Sequence, residues 1–460
     1  MKAEKGIVHT IQPDFQSTRF FSGHRYRCHL YIPTNYDPSV PTALYVQQDG
    51  MLSFIPSLFE RLSAEGVMPV CIGVGVDSGS FAPTRPGGTV RSTRSQDYDG
   101  LGRRYADFLI EELLPYLKNE YDLRIADSPD LHLICGCSSG GICAWNAAWE
   151  RNDFFRRVYM SSPTFSSFRG GDSLVVLMRK YETKPIRAYM IAGTDDMRNS
   201  AGDWYLEALA ADAALKYAGY DYGFEVFPNG PHGVGFGEEA VFERAMRFLW
   251  RDWQTQPVKA LGLPPRVADI LFPDQPWMPT SEAMPFPMSP TIDAGCYHSE
   301  NCQIWLTRPD GTRALVAETG YPIAGLALSC DGWRLYIAGR ERRFIDVMAI
   351  QPDGTLTDRY EHAHLHIADD CPYPGATAIA VDTQDRLYAA TALGIQTFSF
   401  RGHNNTVLAL PGHLPAEKLA FGGADHTMLY AQSGQQVFRR PVRTTGMTVG
   451  HFSVPGTEPF

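Results

Sequence analysis

From Arg25 to about Trp253 short apolar runs alternate with helix-length amphipathic segments. Residues 30–32, 43–46, 70–74, 131–135, 187–192 and 224–227 read as strands. Between them Tyr105, Phe108, Leu109, Leu113 and Leu117 recur at helical spacing. A second helix is predicted over 201–217, with Gly219 placed to close it. Strand and helix in alternation predict a mostly parallel sheet with helices on both faces, an α/β architecture.

The pattern changes at 254–290, where Pro276, Pro279, Pro285, Pro287 and Pro290 crowd a stretch expected to be a linker. Beyond it the chain repeats itself. Ile304-Trp305-Leu306 leads to Pro309-Asp310-Gly311, and Val347-Met348-Ala349 leads to Pro352-Asp353-Gly354. The same strand and turn return more loosely at 396–402 and 436–440, interleaved with Leu335-Tyr336, Leu387-Tyr388 and Leu429-Tyr430. Strand-rich units about 40 to 50 residues apart are what propeller blades give, and there is room for about four or five. The expected organisation is an α/β domain at 1–253, a Pro-rich linker at 254–290 and an all-β propeller-like domain at 291–460.

At 460 residues the chain exceeds what one hydrophobic core usually organises, which agrees with two domains. A formal net charge of -10 sets its field against phosphate backbones and anionic headgroups, so nucleic acid and membrane partners are not expected. No apolar run approaches a membrane span and residues 1–12 lack an apolar signal core, so a cytoplasmic location is expected. The nine cysteines are scattered and lack zinc spacing, which predicts buried free thiols.

Gly136-Cys137-Ser138-Ser139-Gly140 follows the strand at 131–135 and precedes a helix-like run from Ile142. A nucleophile elbow sits at such a strand-to-helix turn, where crowding requires glycine two positions either side of the serine. The pattern alone is weak, and the flanking strand and helix make it strong. Ser138 then needs a base and an orienting acid, which this architecture delivers in the order serine, acid, histidine. After the strand at 187–192 come two adjacent carboxylates, Asp195 and Asp196, with Asp196 favoured. After the strand at 224–227 comes His232, the one histidine between His132 and the Pro-rich stretch. The oxyanion needs two N–H donors. Ser139 is one candidate, and the loop holding Asp49 and Gly50 offers the other.

Gln48-Asp49-Gly50, the run 94–99, residues 108–115, the Ser138 elbow and 193–196 together resemble the enterochelin-esterase-like family of α/β hydrolases, itself similar to feruloyl and acetylxylan esterases. The resemblance covers about 15–253. It implies Asp196 as the acid, and Asp97 stands where the family often has Glu. Gln48 and Arg94, which lie in two of these motifs, are the substrate-binding candidates. The second half resembles gluconolactonase or regucalcin-like propellers, most clearly at 365–370 and 377–395. The resemblance implies divalent-metal ligands at positions held here by Ala324 and Thr377; alanine cannot ligate and threonine poorly replaces a carboxylate. The propeller is therefore expected to be incomplete or degenerate, with no metal and no lactonase activity. His362, His364 and His366 alternate, with Asp369 and Asp370 close behind. Same-face residues on one strand stand nearly 7 Å apart, about twice the strand rise, so a solvated strand face is expected there instead of a metal site.

These readings converge on a serine carboxylic-ester hydrolase working through an acyl-enzyme without a cofactor. Its expected substrate is a small-molecule or oligosaccharide ester, an acetyl or feruloyl group on a carbohydrate. A siderophore ester is the rival, for which Arg85, Arg91 and Arg94 would matter. From other classes, the alternatives are a noncatalytic carbohydrate-binding protein and a metal-dependent lactonase acting through the propeller. A homo-oligomer is compatible with any of these.

Overall fold

The computed structural model describes residues 4–83, 85–367, 369, 371–448 and 452. Ala368 and Asp370, part of the propeller resemblance and of the histidine cluster, lie outside the described residues, as do 1–3, 449–451 and 453–460. The chain forms two compact units. One runs to Arg179 and resumes at Thr183–Gly262, and the other takes Lys180–Glu182 and the chain from Leu263 on.

The first unit is built on one eight-stranded sheet. Its strands are β1 (Val8–Thr10), β2 (Cys28–Tyr31), β3 (Ala43–Gln48), β4 (Cys71–Val76), β5 (His132–Cys137), β6 (Arg157–Ser161), β7 (Arg187–Gly193) and β8 (Asp221–Phe227). They lie in the order β1-β2-β4-β3-β5-β6-β7-β8. β1 and β2 run antiparallel to their neighbours and the rest are parallel. β3 and β4 are buried along their whole length, because helices cover both faces and every side chain needs to be apolar or paired. β6 has no counterpart among the strands read from sequence, since it is five residues long, opens on Arg157 and runs straight into Ser-Ser-Pro. Registers pair Gln47 with Cys135, Cys137 with Ser161, Ser161 with Ile191 and Gly193 with Phe227. The carboxyl ends of β3, β5, β6, β7 and β8 therefore share one edge, where open α/β sheets build their sites.

Four helices pack against this sheet. α1 (Ile55–Ala64) buries Ile55, Leu58, Phe59 and Leu62, one helical stripe. α2 (Ser139–Glu150) is buried from Ser139 to Trp149 and runs through the centre. α3 (Trp204–Ala218) begins where the Asp203 side chain accepts from the Tyr205 and Leu206 amides and ends at Gly219, whose φ of 74° is the left-handed cap the sequence predicts. α4 (Glu239–Leu249) sets Phe242 edge-on to Tyr45 at 6.2 Å, inside a core that includes Phe59, Leu133 and Tyr159. Truncating such a ring to alanine typically costs about 3–5 kcal/mol. The run from Tyr105 to Leu117 is helical throughout, with a π-helical turn at Leu109–Leu113.

The second unit is all β. Four four-stranded antiparallel sheets follow one another. The first holds Thr291–Ile292, Gly295–Glu300, Gln303–Thr307 and Arg313–Glu318. The second holds Gly325–Leu328, Arg334–Ala338, Phe344–Ile350 and Leu356–His364, and the third Ala378–Val381, Leu387–Thr391, Gly394–Phe398 and Asn404–Leu408. The fourth joins Lys418–Gly422, Met428–Ser433 and Gln436–Pro441 to Met278–Thr280. The repeated Pro-Asp-Gly-Thr has one structure twice, with Asp310 Oδ1 accepting from the Thr312 amide and hydroxyl and Asp353 Oδ1 accepting the same pair from Thr355. Each Leu-Tyr repeat lies in the second strand of its sheet.

The Pro-rich stretch is not a free linker throughout. Met278–Thr280 is the edge strand of the fourth sheet, where the missing N–H of Pro279 is tolerated. Val267, Ile270, Leu271 and Trp277 are buried in the same core as Leu429 and Phe438. The loop Lys180–Glu182 also belongs to this unit, where Arg440 donates to both Glu182 carboxylate oxygens at 2.8 and 3.0 Å. None of the nine cysteines forms a disulfide; five are buried and Cys137, Cys296, Cys302 and Cys371 are partly so.

Candidate active site

Ser138 occupies the turn between β5 and α2 with φ 59° and ψ -124°, a conformation strained for any residue but glycine. The flanking glycines follow from packing. A Cβ on Gly136 would stand 2.2 Å from the Gly140 carbonyl oxygen, and one on Gly140 would stand 3.0 Å from Gln48 Cβ. The turn is locked from the neighbouring strand, since the Ser138 amide donates to the Ser161 carbonyl at 2.9 Å and the Thr164 amide donates back to the Ser138 carbonyl at 3.2 Å. Burial pushes the neighbouring Cys137 thiol up to about 11, so at neutral pH the elbow presents a hydroxyl and no thiolate.

His232 and Asp196 meet across the ends of β8 and β7, with Nδ1 and Oδ1 2.5 Å apart. Two loops are stitched together to achieve this. The Thr194 amide donates to the Phe227 carbonyl, the Asp195 amide to the Gly230 carbonyl and the Asn229 amide to Thr194 Oγ1. A Cβ on Gly193 would stand 2.0 Å from the Gly230 oxygen, so the close approach requires glycine. Asp196 is buried and Asp195 is exposed, which separates the two carboxylates. Burial alone would raise the Asp196 carboxyl, but the hydrogen bond from His232 and further donors outweigh it and hold it below the ordinary value. An ionised carboxylate only accepts, so Nδ1 carries the proton and Nε2 is left as an acceptor. Among the described residues no hydrogen bond joins His232 to Ser138; the Ser138 hydroxyl lies 3.4 Å from Thr164 Oγ1.

The remaining candidates divide. Ser139 opens α2, so its amide has no acceptor within the helix and is free to face an oxyanion. The Asp49 amide is not free, because it is directed at the Val76 carbonyl at 2.9 Å and Tyr98 Oη at 3.2 Å, and this removes it from the oxyanion donors. Among the described residues the Gly50 amide makes no hydrogen bond and remains a candidate. Gln48 is fully buried and accepts from Tyr105 Oη at 2.6 Å, so it braces the loop instead of meeting substrate. Arg94 forks onto Asp49, Nε to Oδ1 at 3.1 Å and Nη2 to Oδ2 at 2.8 Å, an ion pair whose two side chains are each more than a third exposed. Arg85 and Arg91 are exposed.

Three residues beside Ser138 and the His232–Asp196 pair escaped the sequence reading. Ser162 Oγ accepts from the Gly233 amide at 3.0 Å and pins the histidine loop. Trp204 stands edge-on to His232, ring centroids 6.1 Å apart, and its Nε1 donates to Thr164 Oγ1 at 3.3 Å. The one signal available was the run Ser-Ser-Pro-Thr after an apolar segment, which marks the end of β6.

In the second unit His364 stacks on Phe344 at 5.0 Å, His362 lies 5.2 Å from Tyr336, and His366 Nε2 is 2.9 Å from Lys180 Nζ. Among the described residues no group of three or more His, Cys, Asp or Glu is placed to hold a metal ion. No helix among them is long and apolar enough to cross a membrane.

Residues 19–238 match the family model described as "Putative esterase". No curated protein matches the chain. Among solved structures, a ferulic acid esterase is 17% identical over 54% of this chain and 99% of its own, with a TM-score of 0.41. An enterobactin esterase from Shigella flexneri, solved in the presence of enterobactin, is 17% identical over 54% of this chain and 60% of its own, with a TM-score of 0.41. A gluconolactonase from Xanthomonas campestris is 23% identical over 31% of this chain and 46% of its own, with a TM-score of 0.27. The family match supports an esterase, and the segment it covers is the one that carries Ser138, Asp196 and His232.

Proposed function

We propose that the first unit hydrolyses carboxylic esters through an acyl-enzyme. Ser138 attacks the carbonyl carbon, His232 takes its proton and returns it to the leaving alcohol, and Asp196 orients the imidazole. The Ser139 amide and the loop at Gly50 stabilise the oxyanion. The observation that carries this reading is the strained Ser138 between β5 and α2, with a bonded His232–Asp196 pair at the same sheet edge.

The substrate class we favour is an acyl ester on a carbohydrate, acetyl or feruloyl. Arg94 is already met by Asp49, which argues for a neutral ester over an anionic siderophore ester. The four antiparallel sheets are read as blades of an incomplete propeller in a cytoplasmic protein, with a sugar-binding role and no lactonase chemistry. Labelling by a serine-directed fluorophosphonate, with rates on p-nitrophenyl acetate, acetylated and feruloylated sugars and an enterochelin-type triester, tests the proposal. Labelling at Ser138 with preference for sugar esters is expected. A protein that is neither labelled nor active on any of them would not be this enzyme.

A further inference from the structure

Beside Ser138 lies a buried pair that the triad chemistry leaves unused, Thr164 and Trp204, each 1% exposed. Trp204 Nε1 donates to Thr164 Oγ1 at 3.3 Å, and Thr164 Oγ1 lies 3.4 Å from Ser138 Oγ. An indole N–H can only donate, so Thr164 is the acceptor in the first contact. The Thr164 hydroxyl has one proton of its own, and a buried hydroxyl proton needs an acceptor. Among the described residues the acceptor within reach is Ser138 Oγ. The direction of the chain follows: Trp204 to Thr164, and Thr164 to Ser138.

We propose that Trp204 and Thr164 form a directed donor chain onto the nucleophile, a refinement that rests on the esterase reading above. Because Ser138 Oγ accepts from Thr164, its own proton is left for His232. In acylation that proton passes to His232 as the bond from Oγ to the carbonyl carbon forms, and the departing alcohol takes it away. In deacylation water attacks and gives a proton to His232; the bond between the acyl carbon and Oγ then breaks, its electron pair stays on Oγ, and the proton returns there from His232. The Thr164 hydroxyl faces Oγ at that moment, when negative charge builds on it. The resting separation is long for two hydroxyls. A contact that tightens only as charge develops stabilises the transition state more than the ground state, which is what raises kcat. Thr164 is the group that touches the reacting atom, and Trp204 is its positioning residue.

The test uses the full chain, p-nitrophenyl acetate and fluorophosphonate titration of active sites. Thr164→Val keeps the shape and removes the hydroxyl. Per titrated site its kcat should fall about tenfold, the scale of one hydrogen bond. Its kcat/KM should fall much less, and the p-nitrophenolate burst should persist ahead of a slower steady state. Thr164→Ser should restore kcat, and Trp204→Phe, which keeps a ring but loses the N–H, should fall between. A kcat for Thr164→Val within twofold of wild type, a Thr164→Ser variant as slow as valine, or equal losses in kcat and kcat/KM would overturn the donor chain while leaving the esterase reading intact. Wild-type protein that releases no p-nitrophenolate and takes no label would overturn both.

Discussion

His232 and Asp196 approach to 2.5 Å from the ends of two adjacent parallel strands, while Asp195, one residue earlier, faces solvent. Asp195 lies in the turn that follows β7, and its amide is tied to the Gly230 carbonyl, so it is the next residue, Asp196, whose carboxylate reaches the histidine. Asp196→Asn removes the charge that holds the Nδ1 proton and permits the wrong tautomer. Turnover should fall by on the order of ten-thousand-fold, whereas Asp195→Asn should stay near wild type. Rates of both variants on p-nitrophenyl acetate, with matching circular dichroism, decide the matter, and a reversed ranking would remove Asp196 from the triad.

Ser138→Ala should abolish hydrolysis, by as much as about a million-fold, because members of a triad act as a unit. The substitution deletes one oxygen from a residue whose backbone is held by Ser161 and Thr164, so thermal stability should scarcely change. Undiminished ester hydrolysis in this variant would falsify the central assignment.

What was legible in the sequence was whatever depends on local crowding or on order along the chain. Gly136, Ser138 and Gly140 announce the elbow because a tight turn excludes Cβ atoms, and Gly193 marks the loop that brings Asp196 to His232 for the same reason. Partners set by tertiary approach left no such trace. Nothing local says that the Asp49 amide is spent on Val76 and Tyr98, or that Trp204, read only as part of a helix, turns its N–H toward Thr164. Met278–Thr280 looked like linker because proline is dense there; its partner strand, Gln436–Pro441, lies more than 150 residues away in sequence.

Gly136→Ala should damage the fold and the site together. The added methyl would stand 2.2 Å from the Gly140 carbonyl oxygen, a backbone atom that cannot swing aside, so β5 and the start of α2 must separate. A loss of about 3 kcal/mol or more is expected, with lower activity per folded molecule. Denaturant unfolding and fluorophosphonate titration measure the two effects; a variant as stable as wild type would mean that the turn relaxes more easily than this packing implies.

Acid should weaken the second unit through its histidines. Burial, then the neighbouring Arg334 and His403, hold His362 at about 4; burial, then Lys180, His364 and Arg343, do the same for His366. The folded state thus binds these protons less readily than the unfolded chain, whose histidines titrate near 6.5. Their contribution is present above 6.5 and is lost as pH falls through that value toward 4. Asp385, whose carboxyl burial raises to about 6, adds stability as pH falls through the same range and offsets part of this loss. Thermal unfolding between pH 7 and pH 4 should still show a decline carried by the two histidines, and His362→Phe, which keeps a ring beside Tyr336 without a titrating nitrogen, should flatten it. An unchanged slope in that variant would place the acid sensitivity elsewhere.

The second unit should open no lactone with metal assistance, and ester hydrolysis by the first should need no metal. A Lewis-acid centre requires several oxygen or nitrogen ligands converging on the ion with one position left open. Of the two positions that the propeller resemblance implicates, Ala324 offers no donor atom, and the Thr377 hydroxyl lies 3.3 Å from the Ala390 and Ala416 carbonyls, to which its proton is directed. Such a hydroxyl is a weak neutral ligand where a carboxylate would supply charge. Gluconolactone opening should therefore be indistinguishable with calcium, manganese, zinc or EDTA, and p-nitrophenyl acetate hydrolysis should be equal under the same four conditions. Metal-stimulated lactone opening that survives Ser138→Ala would instead identify a second active site in this unit, built from residues other than Ala324 and Thr377.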